Sequence, residues 1–229
     1  MIIISEIGLN YNGNIQNCKE LIKQSKNAGA DIAKFQLGWK GKSGEINHLD
    51  KNKLKKLYDW AEKYDIEIMF SVFNEESLNL LKHFPIKKIK IASRTLIDDF
   101  NLCKKIVDLG YFTIISLGMW KNKNSLPFLN KNVNYLWCNS VYPTLRKDLI
   151  NLPKKFPYNK KIIGYSDHYV GIEVALMAIT RGATIIEKHF TLDKSSKFIR
   201  DHQLSAEPNE MKNLISLGRE INKNLKSGI

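Results

Sequence analysis

Eight short apolar runs recur along the chain, at 2–8, 31–37, 66–72, 88–93, 112–118, 133–140, 161–168 and 184–190, each the length of one buried strand. Between them the pattern changes to amphipathic or helix-permissive stretches, at 17–27, 50–64, 75–84, 98–109, 172–181 and 209–225. Several of these end near glycine, the residue that most readily closes a helix. The stretch after Gly118 reads as a weak helix. Strands that are apolar on both faces and alternate with helices belong to a parallel sheet, because each crossover lays a helix on a sheet face. Eight such units close into an α/β fold of the (β/α)8 or TIM-barrel kind. An open doubly wound sheet competes, but the chain has no Gly-rich phosphate fingerprint to support it. The 229 residues are read as a single domain, 1–229.

A barrel places its chemistry at the C-terminal ends of its strands, and the unusual polar residues fall there. Taken strand by strand they are Glu6, Lys34 with Gln36, Ser71, Lys90 with Ser93, Ser140 with Tyr142, Ser166 with His168, and Glu187 with His189. A lysine inside a strand is costly unless an anion pairs with it, so Lys34 and Lys90 read as partners for a phosphate or carboxylate. Ser93, Ser140 and Ser166 add hydroxyl donors. His168 and His189 end consecutive apolar runs about one helix apart, which suits a shared metal ion. His48 and His83 read as surface residues, and His202 falls beside Asp201 in a loop. Trp39, Trp60, Trp120 and Trp137 read as packing residues, with lining of the mouth the alternative for Trp39 and Trp120, which follow the second and fifth strands.

Composition narrows the function classes. The formal net charge is +13, yet the lysines are scattered among asparagines and isoleucines rather than gathered in a basic tail or an aromatic-interleaved stripe. No nucleic-acid partner is therefore expected, only a general attraction for anionic substrates. No apolar run reaches the roughly 20 residues of a membrane span, and the first residues lack the basic start of a signal peptide. A cytoplasmic protein with no membrane partner is expected. Cys18, Cys103 and Cys138 form no paired motif and read as small buried hydrophobes.

Seven ordered stretches then carry a resemblance that runs from Ser5 to Pro208. They are Ser5-Glu6-Ile7-Gly8-Leu9-Asn10-Tyr11-Asn12-Gly13, Ala28-Gly29-Ala30-Asp31-Ile32-Ala33-Lys34-Phe35-Gln36, Lys90-Ile91-Ala92-Ser93, Ser116-Leu117-Gly118-Met119, Cys138-Asn139-Ser140-Val141-Tyr142-Pro143-Thr144, Tyr165-Ser166-Asp167-His168 and Glu187-Lys188-His189-Phe190-Thr191-Leu192-Asp193-Lys194. In these the chain resembles the catalytic barrel of the N-acetylneuraminate (sialic acid) synthase family, which condenses phosphoenolpyruvate with a sugar aldehyde. The resemblance implies a divalent metal, Mn2+ or Mg2+, on His168 and His189, polarising the aldehyde. It implies phosphoenolpyruvate held by Lys34, Ser71, Lys90, Ser93, Ser140 and Ser166, acid-base work by Glu6, and a sugar contacted by Gln36, Tyr142 and Asp201. The catalytic set it implies is Glu6, Lys34, Lys90 and His189.

Departures from the family pattern cluster in the acceptor half. Tyr11 stands where the family has histidine, Arg94-Thr95 where it has Gly-Glu, and Ile199-Arg200 where it has Gly-Pro. Arg94 is therefore a candidate contact for a changed sugar. The family's antifreeze-like C-terminal domain is not matched, which would remove the family's swapped dimer contact and leaves a homodimer and a separate cap-domain partner both open. Two alternatives remain at this point: a Schiff-base pyruvate aldolase using Lys34 or Lys90, and a non-catalytic sugar-binding member.

Overall fold

In the computed structural model of the protein, which describes residues 1–39, 45, 47–122, 125–158 and 161–228, eight parallel strands pair in sequence order and β1 closes on β8. The strands are β1 (Ile2–Gly8), β2 (Ile32–Leu37), β3 (Glu67–Val72), β4 (Lys88–Ile91), β5 (Phe112–Ser116), β6 (Val133–Cys138), β7 (Ile162–Asp167) and β8 (Ile185–His189). Helices α1 (Ile15–Ala28), α2 (Lys51–Lys63), α3 (Glu75–Leu81), α4 (Ser93–Asp98), α5 (Phe100–Asp108), α6 (Glu173–Thr180) and α7 (Pro208–Ser227) cover the outside. No described helix is long and apolar enough to cross a membrane.

Polar residues set where the helices begin. Asn14, Asp50, Asn74 and Asp99 each turn a side-chain oxygen onto a backbone N–H of the first turn, satisfying a donor that has no partner within the helix. Asp99 also explains a difference from the sequence expectation. The stretch expected as one helix over 98–109 is divided by Asp99, which leaves helical geometry (φ −144°, ψ 79°) to cap α5.

Strict strand-helix alternation is also corrected. Among the described residues, the connection from β5 to β6 holds no helix, so the weak helix after Gly118 does not form there. The connection from β6 to β7 holds, among the described residues, only the 3₁₀ turn Arg146–Leu149. Pro127 with Asn122, Asn130 and Asn132 in the first connection, and Pro143, Pro153 and Pro157 in the second, remove helical donors or compete for them.

Alternation along the strands builds the interior in tiers. Ile4, Ile32, Met69, Ile114, Leu136 and Ile185 form an apolar plug inside the barrel, separate from the larger core between sheet and helices. Two residues further along the same strands stand Glu6, Lys34, Ser71, Ser116, Cys138 and Glu187, so the plug is the floor on which the polar tier rests. Gly164 belongs to this floor because nothing larger fits. A Cβ there would lie 2.1 Å from the Ile185 carbonyl oxygen and 2.7 Å from Leu136. Gly164→Ala is expected to lower stability by about 1–3 kcal/mol through overpacking, read as a lower urea midpoint with unchanged slope.

Candidate active site

The C-terminal ends of the strands enclose a cavity of about 270 Å³. Every candidate from the sequence lines it: Glu6, Lys34, Gln36, Ser71, Lys90, Ser93, Arg94, Ser140, Tyr142, Ser166, His168, His189 and Asp201. Ser140 and His168 lie just beyond the last residues of β6 and β7, and Ser93 opens α4 directly after β4.

At the bottom, two lysines and two glutamates interlock. Lys34 Nζ pairs with Glu6 Oε2 and lies 3.6 Å from Glu187 Oε2, while Lys90 Nζ lies 3.2 Å from Glu187 Oε1. Lys34 donates to Ser71 Oγ at 2.9 Å, Lys90 to Ser116 Oγ at 2.8 Å, and Ser166 to Glu187 Oε1 at 2.9 Å. Gln36 Nε2 donates to Glu6 Oε1 at 3.1 Å. The sequence leaves the lysines waiting for an external anion. The structure gives each a resident carboxylate, because a buried ammonium without one is too costly.

Their environments separate the four groups. Burial drives the Glu6 carboxyl above the usual carboxylate range, more strongly than Lys34 draws it down. Burial opposes the charge on Lys34, but Glu187 and Glu6 outweigh it and raise its pKa. Burial wins at Lys90, which is lowered despite Glu187, with Lys34 pushing the same way. Glu187 is held low because Lys34 and Lys90 together overcome its burial. The floor therefore contains a carboxyl prone to hold a proton, a fixed carboxylate and two cations of unequal acidity.

On one wall the two histidine rings lie 5.4 Å apart, centre to centre. Tyr142 packs against both, at 4.1 Å from His168 and edge-on at 6.1 Å from His189. The Asn139 carbonyl accepts from His168 Nδ1 at 2.6 Å, which leaves Nε2 with its lone pair. His189 Nδ1 is buried with no hydrogen-bond partner among the described residues, and Asp201 Oδ2 stands 3.9 Å away. Burial lowers both imidazoles to about 4, so each is neutral and able to ligate at neutral pH. This donor set fits a divalent cation. No group of three or more His, Cys, Asp or Glu is arranged around a common point among the described residues, so such a cation would keep water or substrate oxygens as its remaining ligands.

Several residues were not picked out from the sequence. Glu187, noted as a strand-end polar residue without a role, bridges both lysines. Its position two residues before His189, on the same face of β8, was the available signal. Ser116 and Cys138 enter the wall by the same alternation. The Ser93 hydroxyl shares a 3.3 Å contact with Cys138 Sγ and accepts from Gly118 N at 2.9 Å, so it shapes the wall as well as facing the cavity. Arg200 lines the mouth with its guanidinium 4.6 Å over the Tyr142 ring. Trp39 lines the mouth, the alternative reading for it, packed on Phe73 at 5.1 Å. Trp120 packs, as the main reading has it: it stacks on Phe100 and donates to the Ser125 carbonyl. His202, expected in a loop beside Asp201, is buried in the 3₁₀ turn Arg200–Leu204. It bonds Thr191 at 2.7 Å and Asn12 at 2.8 Å, fastening the segment that carries Arg200 and Asp201.

A (β/α)8 barrel whose cavity floor carries two buried lysines and two glutamates below a pair of neutral histidines defines an anion-handling barrel enzyme. The chain belongs to the NeuB family, whose match spans residues 41–229. It is 33% identical to the N,N'-diacetyllegionaminic acid synthase of Campylobacter jejuni, over all of this chain and 78% of that protein. It is 30% identical to the human N-acetylneuraminate-9-phosphate synthase, over 98% of this chain and 71% of that one. Among solved structures it superposes with a TM-score of 0.81 on the N-acetylneuraminic acid synthetase of Leptospira borgpetersenii in complex with citrate, at 29% identity, covering 98% of this chain and 84% of the other.

Proposed function

We propose that the protein condenses phosphoenolpyruvate with a sugar aldehyde to form a nonulosonic or related 3-deoxy-ulosonic acid and release phosphate. The observation that carries this reading is the floor: two lysines of opposite pKa tendency, with hydroxyls around them, at the end of a cavity whose wall is a cation-ready histidine pair. The names of the legionaminic acid synthase and the N-acetylneuraminate-9-phosphate synthase among its relatives support it.

Lys34 and Lys90, with Ser71, Ser93, Ser140 and Ser166, would hold the phosphate and carboxylate of phosphoenolpyruvate. Gln36, Tyr142 and Asp201 would orient the aldehyde so that C3 of the enol faces its carbonyl carbon. As the C3–C bond forms, the carbonyl oxygen takes up negative charge, and the proton-prone Glu6 is placed to donate to it. Water then adds at C2, one of its protons returning to Glu6, and the C2–O bond to phosphate breaks with its electron pair leaving on the phosphate, which takes the hydroxyl proton as C2 becomes a carbonyl. A divalent cation on His168 and His189, Mn2+ or Mg2+, would supply Lewis-acid polarisation of the aldehyde when bound. The three cysteines are free and buried, which suits a reducing compartment, and we place the reaction in the cytoplasm.

The test is phosphate release from phosphoenolpyruvate with Mn2+ and a panel of N-acetylated hexosamines and simple aldoses. Release that requires one aldehyde supports the reading; no phosphoenolpyruvate binding at all sinks it. Lys34 is a held, ion-paired cation, the wrong state for an aldolase nucleophile. Borohydride with pyruvate is therefore expected to leave no trapped adduct on Lys34 by mass spectrometry, and an adduct on Lys90, whose pKa burial lowers, would favour the aldolase reading instead. Arg94 stands at the mouth, half exposed, paired only loosely with Asp98 at 3.9 Å. Arg94→Ala is expected to raise the acceptor KM about tenfold while leaving the phosphoenolpyruvate Kd unchanged, since one charge-assisted contact is worth about that much.

A further inference from the structure

Behind the histidine wall, on the outer face of the barrel, lies a second pair of opposite charges. Lys188 Nζ is 3.1 Å from Asp167 Oδ2, and both side chains are completely buried. Each immediately precedes a wall histidine in the sequence, Asp167 before His168 and Lys188 before His189. Successive strand residues point to opposite faces, so the pair lies outside while the histidines point in. Asp167 and Lys188 are also direct partners in the β7–β8 register.

The pair is tied into the backbone on both sides. Asp167 Oδ1 accepts from the Tyr165 hydroxyl and from the Tyr169 amide, each at 2.8 Å. Lys188 donates in addition to the Tyr169 carbonyl. Asp167 therefore fixes the turn that leaves β7 immediately after His168, while Lys188 holds that turn against β8. Stability does not account for this arrangement, because a buried ion pair is commonly matched or bettered by apolar side chains of similar volume. What an apolar pair cannot supply is directional contact that fixes one strand end against the other.

We propose that Asp167 and Lys188 are a positioning pair that sets the separation and ring orientation of His168 and His189, and through them the affinity for a divalent cation. The inference rests on the reading of these histidines as a cation site. Small errors in ligand placement weaken metal binding strongly, and loss of groups that orient metal ligands typically costs about 10–100-fold in affinity.

The experiment measures Mn2+ affinity of the whole chain by calorimetry, without substrates, for the native protein and for Asp167→Leu/Lys188→Met. Urea unfolding and the phosphoenolpyruvate-induced rise in thermal midpoint, taken without metal, report whether the fold and the charged floor survive. The expected result is a folded double variant with the native response to phosphoenolpyruvate and Mn2+ binding weakened about 10–100-fold. Native Mn2+ affinity in that folded variant overturns the proposal. If the double variant does not fold, Tyr165→Phe removes one donor from Asp167 with almost no change in volume; a Kd several-fold weaker supports the proposal and a native Kd overturns it. A native protein that binds no Mn2+ is a different failure: it removes the cation site itself, and the inference with it.

Discussion

Lys34→Met is expected to abolish phosphoenolpyruvate binding and to cost about 3 kcal/mol of stability. The buried ammonium answers two carboxylates, Glu6 and Glu187, and donates to Ser71. Removing one partner of a buried pair costs about 3–5 kcal/mol, because the other charge is left unanswered. The lower end applies here, since burial already raises the Glu6 pKa and Glu6 can take a proton instead of remaining charged. The loss of stability is therefore expected to grow as pH rises, where that proton becomes harder to hold. Adding Glu6→Gln removes the unanswered carboxylate and is expected to restore much of the stability but none of the binding. Urea unfolding and calorimetry with phosphoenolpyruvate separate the two effects. Retained phosphoenolpyruvate affinity in Lys34→Met would refute the assignment of this floor as the anion site.

The same lysine shows how far the sequence could be read. Period-two alternation put Glu6, Lys34, Ser71 and Glu187 on the inner face, and the barrel rule placed them at one end, so most of the cavity's polar residues were legible in the sequence. The pairing was not. Whether an interior lysine faces a substrate or a resident carboxylate depends on how strands far apart in the chain are staggered around the barrel. Lys90 on β4 and Glu187 on β8 meet across the interior, and no local pattern records this. The helices were legible where capping residues and amphipathic spacing agreed, as at Asp50 for α2. They failed between β5 and β7, where proline and asparagine break the period although the strands on either side still form. Arg200, noted as a departure in the acceptor half, was given no role for a related reason. A polar residue in a loop has no periodicity to betray its direction, and only the closure of the segment by His202 brings its guanidinium over Tyr142. The ion pair behind the histidines sat in plain view as Asp167-His168 and Lys188-His189, but only the β7–β8 register shows that the two dipeptides stand side by side.

With metal chelated, the protein is expected to lose roughly 3–4 kcal/mol of stability between pH 7.5 and pH 5. His168 and His189 are both buried and neutral, each lowered to about 4 from the ordinary 6.5, chiefly by burial. The unfolded chain takes up protons on these residues as pH falls through 6.5, while the folded protein resists until near 4, so the unfolded state gains progressively across that window. At pH 5 each histidine contributes roughly 2 kcal/mol to this loss. The sum falls slightly short of additive because protonating His189 is itself part of what disfavours a charge on His168. Two neighbouring carboxyls act differently. Glu187, held low by Lys34 and Lys90, loses its contribution only below the ordinary carboxylate range. Glu6, raised by burial, works in the opposite direction, since the folded state binds its proton more readily than the unfolded chain. Urea midpoints at the two pH values, for the native protein and for His168→Gln/His189→Gln, isolate the histidine share whatever the absolute stability of the variant. The double variant should lose about 3–4 kcal/mol less than the native protein across this window, its remaining slope coming from His202, also lowered by burial, and from Glu6 acting in the opposite direction. An equal loss in both proteins would place the acid sensitivity elsewhere and would remove the argument that these imidazoles are kept neutral and ready to ligate.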